Sequence, residues 1–150
     1  MATIRPDSWS FPLLLHVLGA MAMVGALILA GAALVFVWRT GRVPLVRLGY
    51  RALLFGALPG WIVMRVGGQW IADKESLSDS GLNWIDWGFT TSDGGIVLIV
   101  VSTLLAWLAM RRARSATGAG MGFGRPAALL VGLLLVAYGF TIWAMTTKPT

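Results

Sequence analysis

FPLLLHVLGAMAMVGALILAGAALVFVW, residues 11–38, is the stretch that decides the fold. It holds one ionisable side chain, His16, and otherwise only apolar or small residues. A helix needs about 20 such residues to cross a hydrocarbon core of ~30 Å. This run exceeds that length and can tilt, so it reads as a membrane-spanning helix. The residues before it, Met1 to Ser10, carry Arg5 and Asp7. The apolar run that follows is longer than the core of a signal peptide and lacks a clean small-residue cleavage pattern, so a retained first helix is expected.

Three further apolar blocks follow. Residues 48–72 form a second span, interrupted by Pro59 and Arg65. Residues 94–110 form a third with a β-branched start, and residues 126–146 a fourth that opens on Pro126, a favoured first-turn residue. A barrel would need alternating segments of about ten residues, and none is visible. The expected fold is therefore all-α: one domain over residues 1–150, an integral-membrane four-helix bundle.

Composition agrees. The chain is 57% hydrophobic and 12% charged, with a mean hydropathy of +0.79. A soluble domain of this size leaves too much surface in water to hide that fraction. The net charge of +6 lies in short clusters beside apolar spans rather than along a soluble face, which argues for a lipid bilayer as partner and against nucleic acid. There is no cysteine, and one histidine cannot build a multi-histidine metal site. No metal centre is expected.

The charges also set an orientation. Arg39, Arg42, Arg47 and Arg51 fill the first gap, and Arg111, Arg112, Arg114 and Arg125 the third, with no acid in either. The second gap holds Asp73, Glu75, Asp79, Asp86 and Asp93 against Lys74. Positive charge stays cytoplasmic, so both termini are expected outside, in a bacterial inner membrane. Trp9, Trp70, Trp84, Trp87 and Trp143 then fall at the outer interface, where an indole ring meets lipid while its N–H meets a polar partner. Trp38 and Trp107 fall near the inner one, and Trp61 in mid-membrane.

The connecting segments follow suit. Gly118 to Gly124 reads as a cytoplasmic linker. Residues 82–89 mix aromatics and acids as a short interfacial helix would. Thr90, Thr91, Ser92 and Asp93 offer N-cap side chains for the third span. Small residues mark contact faces in lipid: Gly19, Gly25 and Gly31, then Ala22, Ala26 and Ala30, in the first span, and Gly56 and Gly60 around a kink at Pro59 in the second.

Ionisable groups inside the hydrocarbon carry the functional expectation, since each costs ~2.5–3.5 kcal/mol to insert. His16 lies roughly 8 Å below the outer edge and Arg65 about 21 Å above the inner one, at 1.5 Å per residue. Both therefore fall in the outer half. Trp61, Arg65 and Gln69 share one helical face, with Asp86, Asp93, Tyr138 and Thr141 near the same level. Two readings of Arg65 stand. It forms an anion clamp in an outward pocket, or it closes the bundle by pairing with a loop acid or a headgroup. Two readings of His16 stand as well. It ligates a haem, with Gly19 leaving room for a flat ring and Met23, Met64 or Met145 as second ligand, or it bonds a backbone carbonyl or Tyr138.

The run from Leu15 to Ala20, with Gly25 beyond it, resembles the first helix of the copper-resistance D-type membrane domain and its relative, the four-span haem-containing protoporphyrinogen oxidase of bacteria. Arg47-Leu48-Gly49-Tyr50-Arg51 is similar to the start of their second helix, and Lys148-Pro149 to the oxidase's end. The whole chain is similar to small four-span bacterial proteins of this broad group, through Leu58 to Gly67 and Trp84 to Gly95. The resemblance implies a haem or metal ligand at His16, with haem b as the cofactor of the redox reading. The oxidase also carries a lysine in its third helix, whereas this chain has none between Lys74 and Lys148.

Three functions are thus expected as alternatives. The first is a non-catalytic accessory or structural subunit that docks other membrane subunits or forms a homo-oligomer. The second is a haem-binding redox protein using His16. The third is a small oligomeric transporter or channel built on Arg65. No triad, carboxylate dyad or nucleotide loop supports conventional hydrolase or kinase chemistry.

Overall fold

The computed structural model describes residues 10–74, 83–113 and 121–146, with side chains at 11–74, 90–113 and 122–143. The elements are α1 (Ser10–Thr40), α2 (Val43–Ala52), a π turn (Leu53–Ala57), α3 (Leu58–Lys74), α4 (Asn83–Ala113) and α5 (Met121–Thr146). Phe11–Thr40, Thr90–Ala113 and Gly122–Trp143 are each long and apolar enough to cross a membrane. These are the helices of a multi-pass membrane protein. Residues 43–74 make one further helical column, in which α2, the π turn and α3 follow without a break.

The first connection is a tight hairpin. Gly41 takes φ 66°, a left-handed conformation that a Cβ would strain, and its N–H returns to the carbonyl of Val37 at 2.8 Å. Arg42 follows extended, and Pro44 enters the first turn of α2, where its missing N–H has no helical partner to lose. α1 and the 43–74 column therefore run antiparallel.

Their seam is built on glycine. A Cβ at Gly60 would stand 2.7 Å from the backbone nitrogen of Met23, and one at Gly67 2.6 Å from that of His16. At Gly56 it would meet the Ala26 side chain at 2.5 Å, and at Gly49 that of Leu34 at 3.1 Å. Gly19 in α1 abuts the backbone of Met64 and Gly60 in the same way. Lipid supplies no hydrophobic force between helices, so close backbone approach and dispersion must hold them. On the other flank of α1, Gly31 faces Val131 of α5. α4 packs chiefly on α5 and, lower down, on α2, whereas α3 and α4 approach each other sparsely.

Met23, Leu27, Leu34, Leu53, Ile99, Val131 and Leu134 fill the core. Val37, Val46 and Ala109 close it at the α1–α2 hairpin end, where Phe123 packs against them. The described arginines other than Arg65 project from that end. Phe36, Phe55, Val97 and Val136 point outward, which suits helices flanked by lipid.

Several expectations are corrected. Residues 90–93 do not cap a helix, because α4 begins at Asn83 and carries them inside it. For the same reason residues 83–89 belong to the backbone of α4 rather than to a separate interfacial helix. Pro126 lies within α5, which starts five residues earlier at Met121, so Gly122 and Gly124 are helical and not linker. Residues 118–120 lie outside the described residues. Pro59 produces a local widening: the N–H of Leu58 reaches the carbonyl of Leu53. That longer π-type bond eases the ring's clash with the preceding turn. Gly25 and Ala22 do not join the seam; Gly25 faces open space and Ala22 is exposed.

Candidate functional site

The polar residues gather at the end of the bundle opposite the arginine cluster, where α3 passes α4. Trp61, Arg65, Gln69 and Asp73 follow one another at four-residue steps along α3, which stacks them on one face. Each uses that face. The Trp61 indole Nε1–H donates to the carbonyl of Ser92 at 2.9 Å, and the Arg65 Nε–H donates to Asp93 Oδ1 at 3.0 Å. Both bonds cross from α3 to α4, where the backbones themselves make few contacts, so long side chains bridge a gap that glycine closes elsewhere.

The ladder then climbs α3. Arg65 Nη1–H donates to Gln69 Oε1 at 2.7 Å, and Gln69 Nε2–H donates to Asp73 Oδ1 at 3.0 Å. The amide is oriented by its neighbours: its oxygen faces the cation and its nitrogen the anion. Arg65 thus meets one carboxylate directly and a second through Gln69. Exposure rises along the pair, from 25% at the Arg65 side chain to 59% at Asp93. The rung nearest the core is the guanidinium.

His16 occupies a different seam. Its Nδ1 lies 2.8 Å from the carbonyl of Met64, an acceptor only, so Nδ1 carries a proton and donates. The ring rests over Gly68, where a Cβ would come within 3.0 Å of Nδ1. Of the two readings of His16, the backbone partner is the one present, and Tyr138 is not bonded to it. The room expected beside Gly19 is taken by the α3 backbone at Met64 and Gly60. A flat macrocycle has no place there, because the helix that Gly19 admits fills the space. Met23 and Met64 are core residues, and the Met145 side chain lies outside the described residues. The His16–Gly19 constellation does not fit a haem.

Tyr138, 5% exposed, reaches from α5 to α4 with its hydroxyl over Gly95, where any Cβ would collide with it. Its hydroxyl and that of Ser92, three residues before Gly95, are both buried without a hydrogen-bond partner among the described residues. Thr141 turns its hydroxyl back to the carbonyl of Ala137 at 2.9 Å, a local helix bond. The Asp86 side chain lies outside the described residues. The structure therefore brings Arg65, Gln69 and Asp93 together, packs Tyr138 of α5 against α4 at Gly95, and separates His16 and Gly19 onto the α1–α3 seam.

Sequence reasoning missed the carbonyls of Met64 and Ser92, which no residue type announces. It also missed Gly67, Gly68 and Gly95, the seats of the α1 backbone, the imidazole and the phenol. Gly60 and Gly67 are seven residues apart, a helical repeat that would have extended the Gly56–Gly60 face.

The end of the site is tied by aromatics. Phe11 meets Trp70 edge-on with centroids 6.2 Å apart, and Lys74 Nζ lies 5.5 Å from the same indole ring. With this geometry in hand, comparison of the chain with protein-family models, curated proteins and solved structures gives no significant match. The reading of function rests on the geometry.

Proposed function

We propose that the chain is a small accessory or structural subunit of a membrane assembly, without catalytic chemistry of its own. In this reading the 43–74 column is a fourth span, the arginine end lies in the bacterial cytoplasm, and both termini lie outside. The positive-inside asymmetry supports that orientation, and the length of the column, roughly 48 Å at 1.5 Å per residue, suits a span.

One observation carries the functional reading. Three polar side chains around the candidate site join one helix to another: His16 to Met64, Trp61 to Ser92 and Arg65 to Asp93. Groups engaged in holding the bundle are spent on architecture, and an architecture is what a docking subunit offers.

The test is the size of the particle the chain occupies when expressed at low level in a bacterial membrane and extracted in mild detergent. A discrete assembly larger than one chain in its micelle supports the reading. A one-chain particle with a reducible chromophore or a solute flux of its own overturns it. A second reading, a small oligomeric transporter, is favoured by the ladder that leads from the half-buried Arg65 guanidinium through Gln69 to exposed Asp73. It requires liposome uptake that Arg65→Ala abolishes.

A further inference from the structure

Positive-inside topology is satisfied by lysine as well as by arginine. In this chain the eight basic residues of the first and third gaps are all arginine, and the two lysines, Lys74 and Lys148, lie elsewhere. Topology alone does not explain that choice. What distinguishes arginine is a planar fork of five N–H donors that stacks on aromatic faces and grips phosphate with two parallel bonds.

The structure places three guanidinium groups over aromatic rings. The Arg111 guanidinium carbon lies 4.2 Å from the Trp107 ring centroid, that of Arg112 4.4 Å from Phe123, and that of Arg125 5.4 Å from Trp38. The first contact lies within α4; the second links the end of α4 to the start of α5, and the third the start of α5 to the end of α1. A guanidinium held by its face turns its N–H edge sideways, and its rotamer entropy is already reduced before a ligand arrives. All three arginines are exposed, and no acidic residue lies among the described residues at this end of the helices. The indoles of Trp38 and Trp107 set the level as that of lipid headgroups.

We propose that Arg111, Arg112 and Arg125, held by Phe123, Trp38 and Trp107, form a headgroup site for an anionic phospholipid, with the guanidinium edges on the phosphodiester. A zwitterionic lipid carries the same diester, but its own ammonium competes for it. That ammonium sits beside the diester where a guanidinium edge would lie, so selection depends on the two-bond fork as well as on net charge. This inference is independent of the accessory reading, since it needs only a bilayer surface at this end of the helices.

The test is native mass spectrometry of detergent-purified full-length protein equilibrated with equal phosphatidylglycerol and phosphatidylcholine. Wild type should retain phosphatidylglycerol over phosphatidylcholine by about tenfold, consistent with several basic groups acting at one surface. Arg111→Lys, Arg112→Lys and Arg125→Lys combined should bring that preference to about twofold or less, because charge remains while fork and stack are lost. The matched set Arg39→Lys, Arg47→Lys and Arg51→Lys should keep it. Equal loss in both sets would show delocalised charge and overturn the site, as would no preference in wild type. Millimolar inorganic phosphate that strips the lipid and replaces its thermal protection would assign the arginines to a free anion instead, against the proposal. If the triple variant does not fold, Trp38→Leu decides: it should lower the preference about threefold by unseating Arg125, and an unchanged preference overturns the proposal.

Discussion

Arg65 on α3 and Asp93 on α4 are joined through Nε–H and Oδ1 at 3.0 Å, where their two helices otherwise barely touch. The same guanidinium binds Gln69 on its own helix. One side chain therefore closes an interhelical gap and orders the outer face of α3. Exposure of Asp93 keeps the pair in contact with water or headgroups, which limits its contribution to that of a partly screened bridge.

Arg65→Ala is expected to destabilise the detergent-solubilised bundle by about 1 kcal/mol, the scale of an exposed pair with one added hydrogen bond. Asp93→Asn should cost less, because an amide oxygen still accepts. The double variant should cost less than the two singles summed, which thermal unfolding of all four proteins would reveal. Strict additivity would show that the two groups do not act on each other.

His16→Ala removes a side-chain bond across the α1–α3 seam. Interhelical hydrogen bonds in membrane proteins average ~0.6 kcal/mol and reach ~1.7, so a loss in that interval is expected. Absorption spectra of air-oxidised and dithionite-reduced protein, purified after haem-replete expression, should be the same for wild type and variant. A reducible Soret band present in wild type and lost in His16→Ala would overturn the structural role.

The glycines divide sharply. Gly60→Ala and Gly67→Ala place a methyl within 3 Å of the α1 backbone and should separate the helices, at a cost of about 1–3 kcal/mol as overpacking does. Gly25→Ala and Gly132→Ala meet nothing within 4 Å. They should be neutral or stabilising by up to about 1 kcal/mol, from helix propensity alone. Melting temperatures in one detergent suffice to compare the four.

Tyr138→Phe removes a buried hydroxyl that has no partner among the described residues, so it should be neutral or stabilising by up to about 1 kcal/mol. Gly95→Ala drives a methyl into that hydroxyl and should destabilise. Combining the two should recover part of the loss, which a double-mutant cycle measures. Full destabilisation in the combined variant would mean that the ring, not the hydroxyl, fills the space.

Length and polarity made the helices legible from the chain alone. Residues 11–38 lie inside α1 to within two residues at each end, because an apolar run that long has one stable conformation in lipid, with every backbone polar group bonded within the segment. The arginine clusters marked one end of the bundle for the same reason: charge cannot remain in hydrocarbon. Arg65 and Gln69 were legible as neighbours, since four residues make slightly more than one helical turn.

Tertiary structure decided the rest. Whether Gly19 admits a cofactor or a helix depends on what stands opposite it, and local sequence holds no record of that; α3 stands there, seated by Gly60 and Gly67. The partner of His16 is a backbone carbonyl, a group every residue possesses, so only the register between α1 and α3 could select Met64. Thr90 to Asp93 read as caps because their side chains favour caps, yet the helix runs through them, and there Trp61 and Arg65 meet Ser92 and Asp93. The chain by itself determines which segments enter the membrane, since that depends on transfer free energy residue by residue. Which polar groups meet inside is set by how backbones approach one another, a property of helices in pairs.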